Sequence, residues 1–197
     1  MMTHREGMTL TAAFDLQPTL VGSRVILRPL TAQDFDALHA AAADPLIWAQ
    51  HPENRHEPEV FRAFFDGAIA SGGALLALDA QTGAVIGTSR YKFRDAPPLS
   101  LEIGWTFLAR AYWGGAYNGE VKRLMLDHAF RFVDHVVFLV AERNLRSQRA
   151  LQKIGAQLQG PLTEGKDESY LVFRIDRSAW TTAPVVAGEP RPQSQGS

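Results

Sequence analysis

The run Arg110-Ala-Tyr-Trp-Gly-Gly-Ala-Tyr-Asn-Gly-Glu-Val-Lys122 decides how the rest of the chain is read. A strand pattern ends near Phe107, a glycine-rich loop follows, and an amphipathic helix begins. Small residues let a backbone approach a ligand closely. The free N–H groups at the helix start, together with the positive end of its dipole, favour a phosphate. By itself the run also fits a glycine-rich turn with no ligand at all.

Moving outward, the helix pattern runs from Tyr117 to about Val133, with Val121, Leu124, Ala129 and Phe132 near helical spacing. His135 to Ala141 is a dense apolar run, Val-Val-Phe-Leu-Val, the mark of a strand buried on both faces. Asn144 opens a further helix that Gly155 closes, and Tyr170 to Ile175 reads as the last strand. On the N-terminal side lie three strands, Ala74 to Asp79, Ala84 to Phe93 and Leu99 to Phe107; the Gln81-Thr82-Gly83 turn joins the first two as a hairpin. Before them come a strand from Arg24 to Arg28, stopped by Pro29, and a helix capped at Thr31. A second helix runs from Glu57 to Ser71, with Pro58 in its first turn. The expected fold is α/β (α+β), with a mixed, mostly antiparallel central sheet flanked by helices.

The totals set limits. A chain of 197 residues with 46% hydrophobic and 21% charged residues can bury one core. A net charge of -1 argues against a surface that holds a nucleic acid. No run approaches the roughly 18 apolar residues of a membrane helix, and the N-terminal stretch does not read as a signal peptide. Cysteine is absent, which removes disulfides, thiolate metal sites and a cysteine nucleophile, and fits a reducing, cytoplasmic setting. Residues 1–18 lack a period, and residues 181–197 are rich in Pro, Gly, Ser and Gln, so both are expected to be disordered around a folded domain at 19–180. His51, His56 and Glu53 share a Pro-containing loop without metal-ligand spacing, so no metal is expected. His128 and His135 read as packing residues.

The glycine-rich run is followed by Asn144-Leu-Arg-Ser147-Gln-Arg-Ala-Leu-Gln-Lys153-Ile-Gly155. Together the two segments resemble the GNAT superfamily of acyltransferases, and the RimJ/RimL-type N-acetyltransferases in particular. Trp113, Gly114, Tyr117 and Glu120 match that family's Trp-Gly-x-Gly-Tyr-x-x-Glu pattern; Asn144, Ser147, Lys153 and Gly155 match its second motif. Leu27-Arg28-Pro29 and Glu102-Ile103-Gly104-Trp105 extend the likeness over Ser23 to Ile175. The chain departs from the superfamily's phosphate-loop pattern with Trp113, Ala116 and Asn118 at its three marked positions. Leu151 stands where many members carry a tyrosine that protonates the departing thiolate.

The resemblance implies an acetyl transfer from acetyl-CoA to a primary amine, with no metal. The acceptor would be a protein N-terminal α-amine or a small molecule. It implies strands splayed apart at Leu101–Phe107 and His135–Ala141, with pantetheine in the gap bonded to backbone around Phe107, Leu108 and Ala109. The pyrophosphate would be held by the turn of Trp113, Gly114, Gly115, Ala116, Tyr117 and Asn118. Asn144 and Ser147 would contact the coenzyme or position its sulfur, although Asn144 also reads as a helix N-cap and Ser147 as a first-turn residue. Independently of the resemblance, Lys122, Arg146 or Arg149 is a candidate cation for the adenosine phosphate, while each taken singly reads more simply as a solvated helix charge.

Strand alternation places Leu101, Ile103, Trp105 and Phe107 on one face and Ser100, Glu102, Gly104 and Thr106 on the other. Glu102 is therefore the candidate general base, against the alternative of a buried ion pair with Arg90 or Lys92. Trp48 and Arg55 would border the amine's entrance, or Trp48 would be plain core. Other readings stay open: a CoA-binding regulatory module without turnover, transfer of a larger acyl group such as succinyl, or an unrelated nucleotide binder. The last is weakened by the absence of a Gly-Lys-Ser/Thr phosphate loop. A homodimer is compatible with the chain and supported by no pattern in it.

Overall fold

The structure, a computed structural model, describes residues 14–94, 100–114, 116–163 and 169–180. Gly115 and both outer segments expected to be disordered, apart from residues 14–18, lie outside the described residues. Eight strands form one sheet: β1 (Leu20–Val21), β2 (Val25–Pro29), β3 (Ala74–Asp79), β4 (Val85–Arg94), β5 (Ser100–Leu108), β6 (His135–Ala141), β7 (Gln157–Thr163) and β8 (Ser169–Asp176). Their order across the sheet is β1-β2-β3-β4-β5-β6-β8-β7. The β5–β6 pair is parallel and the other pairs are antiparallel. Five α-helices flank it: α1 (Phe35–Ala42), α2 (Pro58–Ala70), α3 (Ala116–Ala129), α4 (Leu145–Lys153) and α5 (Arg177–Trp180). The mixed, mostly antiparallel sheet with helices on its faces is the expected class.

Two apolar clusters lie against the sheet. One joins Val121, Met125 and Leu126 of α3 to Leu27, Leu75, Tyr91, Leu101, Ile103, Val136 and Phe138. The other joins Leu38 and Ala42 of α1 and Phe61, Phe64 and Phe65 of α2 to Leu76 and Phe107. The Leu27-Arg28-Pro29 run has a local purpose. The Arg28 guanidinium donates to both oxygens of Asp34, at 2.9 and 2.6 Å, while the Thr31 N–H and hydroxyl each reach Asp34 Oδ2 at 2.8 Å. These bonds fix the entry into α1 through a 3-10 turn at Ala32–Asp34.

Four expectations need correction. The core reaches beyond Thr19: Phe14 is buried, edge-on to Tyr91, Phe93 and Phe132, and His128 Nε2 donates to the Asp15 carbonyl at 2.8 Å. One buried aromatic in an unpatterned run leaves no period to read. The helix expected to reach Val133 ends at Ala129 and is continued by hydrogen-bonded turns. β7 was not foreseen, because Gly160 and Pro161 interrupt its pattern. It is an edge strand with a register shift between Leu158 and Gly160, where proline is tolerated.

The fourth correction bears on function. Thr88 pairs with Phe107 and Arg90 with Gly104, so β5 carries one extra residue, a β-bulge, between them. Trp105 takes a positive φ of 52° there, uncommon for any residue but glycine. Strict alternation therefore fails past Gly104. Leu101 and Ile103 belong to the first cluster, whereas Trp105 and Phe107 pack with the second.

Candidate active site

β5 and β6 pair at Leu101↔Val136 and Glu102↔Val137, and the ladder stops there. Beyond those two registers a cleft of about 150 Å³ opens between the strands. Ile103, Gly104, Trp105 and Thr106 form one wall, Phe138 to Ala141 the other, and both motif helices contribute, α3 with Asn118 and Lys122 and α4 with Ser147 and Leu151. A second cleft adjoins it, lined by Glu102, Lys92, Arg94 and Glu53. His51, Pro52, Arg55, Trp105, Leu139 and Tyr170 line both. The bulge makes this connection, since it turns the Trp105 ring toward the face that carries Glu102.

Glu102 is 4% exposed, and Arg94 donates to its Oε2 at 3.0 Å. The ion pair foreseen as an alternative exists, with Arg94 as partner in place of Arg90 or Lys92. Gly104 leaves room for the carboxylate, since a Cβ there would lie 3.0 Å from Oε1. The Arg90 guanidinium stacks 4.6 Å from the Trp105 ring. Burial, reinforced by Arg55, lowers its pKa to about 10 despite Glu102, and its Nε has no hydrogen-bond partner among the described residues. Arg55 is bound by Glu53 at 2.7 Å and lies 4.3 Å over Phe64. Trp48 serves as both core and wall, donating to the Ala42 carbonyl at 2.9 Å while lining the first cleft.

The glycine-rich segment begins with a 3-10 turn at Arg110–Tyr112. Trp113 Nε1 donates to the Leu108 carbonyl at 2.8 Å, and Gly114 has φ 70°. Gly114, Ala116 and Gly119 are exposed at the start of α3. Such a helix start, with small residues and free N–H groups, fits a pyrophosphate. The Tyr117 hydroxyl donates to Asp79 Oδ2 at 2.7 Å, so this side chain anchors the helix to the β3–β4 turn and does not line the cleft.

Glu120 is likewise structural. Its carboxylate accepts from Ser23 N, Ser23 Oγ and Arg24 N at 2.8, 2.8 and 2.7 Å. Burial alone would raise its pKa, but these bonds outweigh burial and hold it below the ordinary value.

The remaining candidates separate. Phe107 and Leu108 are buried in opposite clusters, the Ala109 N–H is taken by the Ile86 carbonyl, and none of the three lines the cleft. The stretch of β5 left without β6 pairing is Ile103–Thr106, because the ladder to β6 stops at Glu102. Asn144 lines the cleft and also caps α4, its Oδ1 accepting from Ser147 N at 3.1 Å. Ser147 lines the cleft as well. Arg146 is committed elsewhere, bonding the Ile47 carbonyl at 2.7 Å and stacking 4.0 Å from Trp113. Arg149 is exposed on α4. Lys122 lies inside the cleft, away from any surface role. Among the described residues, no group of three or more His, Cys, Asp or Glu could hold a metal ion.

The sheet parts between its parallel pair, α3 starts at the mouth of the gap, and the chamber of Glu102 adjoins it. The chain belongs to the GNAT acetyltransferases: the sequence profile of the acetyltransferase (GNAT) domain matches residues 24–157. Among solved structures, an acetyltransferase from Agrobacterium tumefaciens is similar at 27% identity and TM-score 0.64, over 81% of this chain and 95% of that one. A GCN5-related N-acetyltransferase from Brucella melitensis shares the fold at TM-score 0.72 and 20% identity, over 84% and 81%. So does RimJ of Mycobacterium smegmatis, solved in complex with CoA-disulfide, at TM-score 0.60 and 20% identity, over 78% and 82%.

Proposed function

We propose that the protein transfers an acetyl group from acetyl-CoA to a primary amine by direct attack in a ternary complex. The observation that carries this reading is the junction of the two clefts at Trp105: one is open to both motif helices, and the other holds Glu102. The backbone of Gly114 to Asn118 would take the pyrophosphate, with Arg149 as a nearby cation. Asn144, Ser147 and the open edge of β5 would take pantetheine. Glu102 would remove the ammonium proton, directly or through water, from an amine seated beside Trp105.

The motif pairing at Trp113–Glu120 and Asn144–Gly155 supports the RimJ/RimL type and, with it, an acceptor that is a protein N-terminal α-amine or a small amine. The lack of cysteine supports a reducing, cytoplasmic setting. Thiol release from acetyl-CoA across a panel of peptides and small amines, run beside calorimetry with CoA, tests the reading. Turnover with at least one amine is expected. Binding heat without thiol release from any amine would mean a binding module; no heat at all would remove the coenzyme from the account.

A further inference from the structure

Lys122 lies on the second turn of α3, 6% exposed, with its ammonium in the cleft. Its Nζ donates to Thr106 Oγ1 at 2.7 Å, and Thr106 Oγ1 lies 2.7 Å from Ser89 Oγ. Nζ also sits 5.3 Å from the Phe138 ring centre. An ammonium has three N–H donors; the bond to Thr106 uses one, and no carboxylate meets the others among the described residues. Burial, with no neighbouring charge to offset it, brings its pKa down to about 7. A buried cation without a counter-ion is costly, so an anion arriving opposite it would hold the lysine in its charged form.

The groups packed nearest to it are neutral. β4 presents Ser89, β5 Thr106, β6 Phe138, and α4 Ser147 and Leu151. On its own helix Glu120 is engaged by Ser23 and Arg123 by Asp127. The other titratable groups lining the cleft are His51, Arg55 and Tyr170.

The placement is specific. Lys122 lies one helical turn beyond Asn118, within the gap and past the exposed glycines where a diphosphate fits. The bulge reverses the alternation past Gly104, so that Trp105 lines the chamber of Glu102 and Thr106 meets Lys122. An acyl group at the bulge would have a carboxylate on one side and an ammonium on the other. Leu151, across the cleft, has no proton to give.

We infer that Lys122 is the proton donor to the coenzyme's departing sulfur, and that the anion its site is built for is a thiolate. The inference rests on the acyl-CoA reading above. The amine nitrogen bonds to the acyl carbon, the carbon–sulfur bond breaks, and the sulfur takes a proton from the Lys122 ammonium. Glu102 takes the ammonium proton before attack and releases it to solvent, and the second N–H proton leaves by the same route after attack. Solvent returns one proton to Lys122, so the net products are an amide, a free thiol and one proton.

The test uses the pH-dependent ultraviolet difference absorbance of the coenzyme's thiolate, to which the cysteine-free chain adds no thiolate of its own, read against the same titration with desulfo-CoA. A free cysteine thiol titrates at about 8.5, and the reference here is CoA titrated free in the same buffer. With the wild type, bound CoA is expected to show thiolate absorbance at least one pH unit below free CoA. In Lys122→Met, an apolar replacement of similar length, that absorbance should move back to or above the free value.

Acetyl transfer should fall about 100-fold, with the alkaline limb of the pH profile lost. Thr106→Val, which keeps the lysine and removes its tether, should show an intermediate thiol titration. The affinity of desulfo-CoA, which lacks the sulfur, should be unchanged by Lys122→Met. An identical thiol titration in wild type and Lys122→Met would overturn the inference and leave the family reading intact, whereas failure of CoA to bind the wild type would remove that reading first. Acetylation of Lys122 itself during turnover would also overturn it, since the nitrogen would then be meeting the acyl carbon and not the sulfur.

Discussion

Ser23 and Glu120 are 97 positions apart in the chain, yet both the N–H and the hydroxyl of Ser23 donate to Glu120 Oε1 at 2.8 Å. Gly22 makes the approach feasible, because a Cβ there would lie 2.8 Å from the Glu120 carboxyl carbon. One motif residue thereby ties α3 to the β1–β2 turn. Glu120→Gln should cost about 1–3 kcal/mol of stability, since one oxygen becomes a donor facing donors. The pH dependence follows from the lowered pKa. The unfolded chain binds the proton more readily than the folded one, so the contribution is complete above the ordinary glutamate range and is lost as pH falls through the folded value. Urea melts of the two proteins should converge toward acid; a constant gap would count against the assignment.

Glu102→Gln should lower kcat by about 100-fold near neutral pH. The deficit should shrink at higher pH, where more of the free amine is already deprotonated. Affinity for CoA should be kept, because Glu102 lines the chamber and not the gap between the strands. Initial rates over a pH series decide this, and a Gln variant with wild-type kinetics would leave Glu102 as the ion-pair partner of Arg94 alone.

Gly104→Ala tests how that carboxylate is aimed. The added Cβ would press on Glu102 Oε1 at 3.0 Å, closer than most real contacts, and its three nearest neighbours all belong to Glu102. Turnover should fall about tenfold while the calorimetric affinity for CoA stays within error. Equal losses in both would mean the alanine has closed the coenzyme cleft instead.

Much of the frame was legible because particular runs are chemically lopsided. Ala74–Asp79 and His135–Ala141 are dense apolar runs between turn residues, and both strands have those bounds in the structure. The two motif helices were readable from the loop glycines and from Asn144, which does cap α4. The bulge was not legible, since alternation assumes one residue per pleat and nothing in Gly104-Trp105-Thr106 announces the extra one. Lys122 was misplaced for a related reason. Cations on helices are usually solvated, but α3 is buried over most of its circumference, including Glu120 and Lys122 themselves. The signal that could have found it is its spacing, four residues after Asn118 and thus on the same helix face.

Gly114 at φ 70° holds the mouth of the gap in a conformation that side chains resist. A Cβ there would meet no atom within 4 Å, so Gly114→Ala would act through backbone strain of about 1–2 kcal/mol and not through a clash. CoA affinity should drop about tenfold, equivalent to about 1.4 kcal/mol. Dephospho-CoA, which keeps the pyrophosphate, should lose as much. An effect confined to CoA would locate the contact at the adenosine phosphate and away from this turn.

Lys122 also makes a prediction that needs no substrate. Its folded pKa of about 7 lies below the ordinary lysine value, so between the two the unfolded chain carries a proton that the folded chain lacks. Stability must then rise with pH across that window, with a slope of up to about 1.4 kcal/mol per pH unit from this group. Below about 7 the lysine is charged in both states, and the full penalty of burying the ammonium is felt. Lys122→Met removes the penalty, so the variant should be more stable than wild type at neutral pH. The gain should shrink steadily as pH rises toward the ordinary lysine range. Denaturant titrations of both proteins from neutral to alkaline pH measure the difference directly. A gain that does not vary with pH would mean the ammonium keeps its charge in the folded protein throughout, stabilised by water that reaches the gap between β5 and β6.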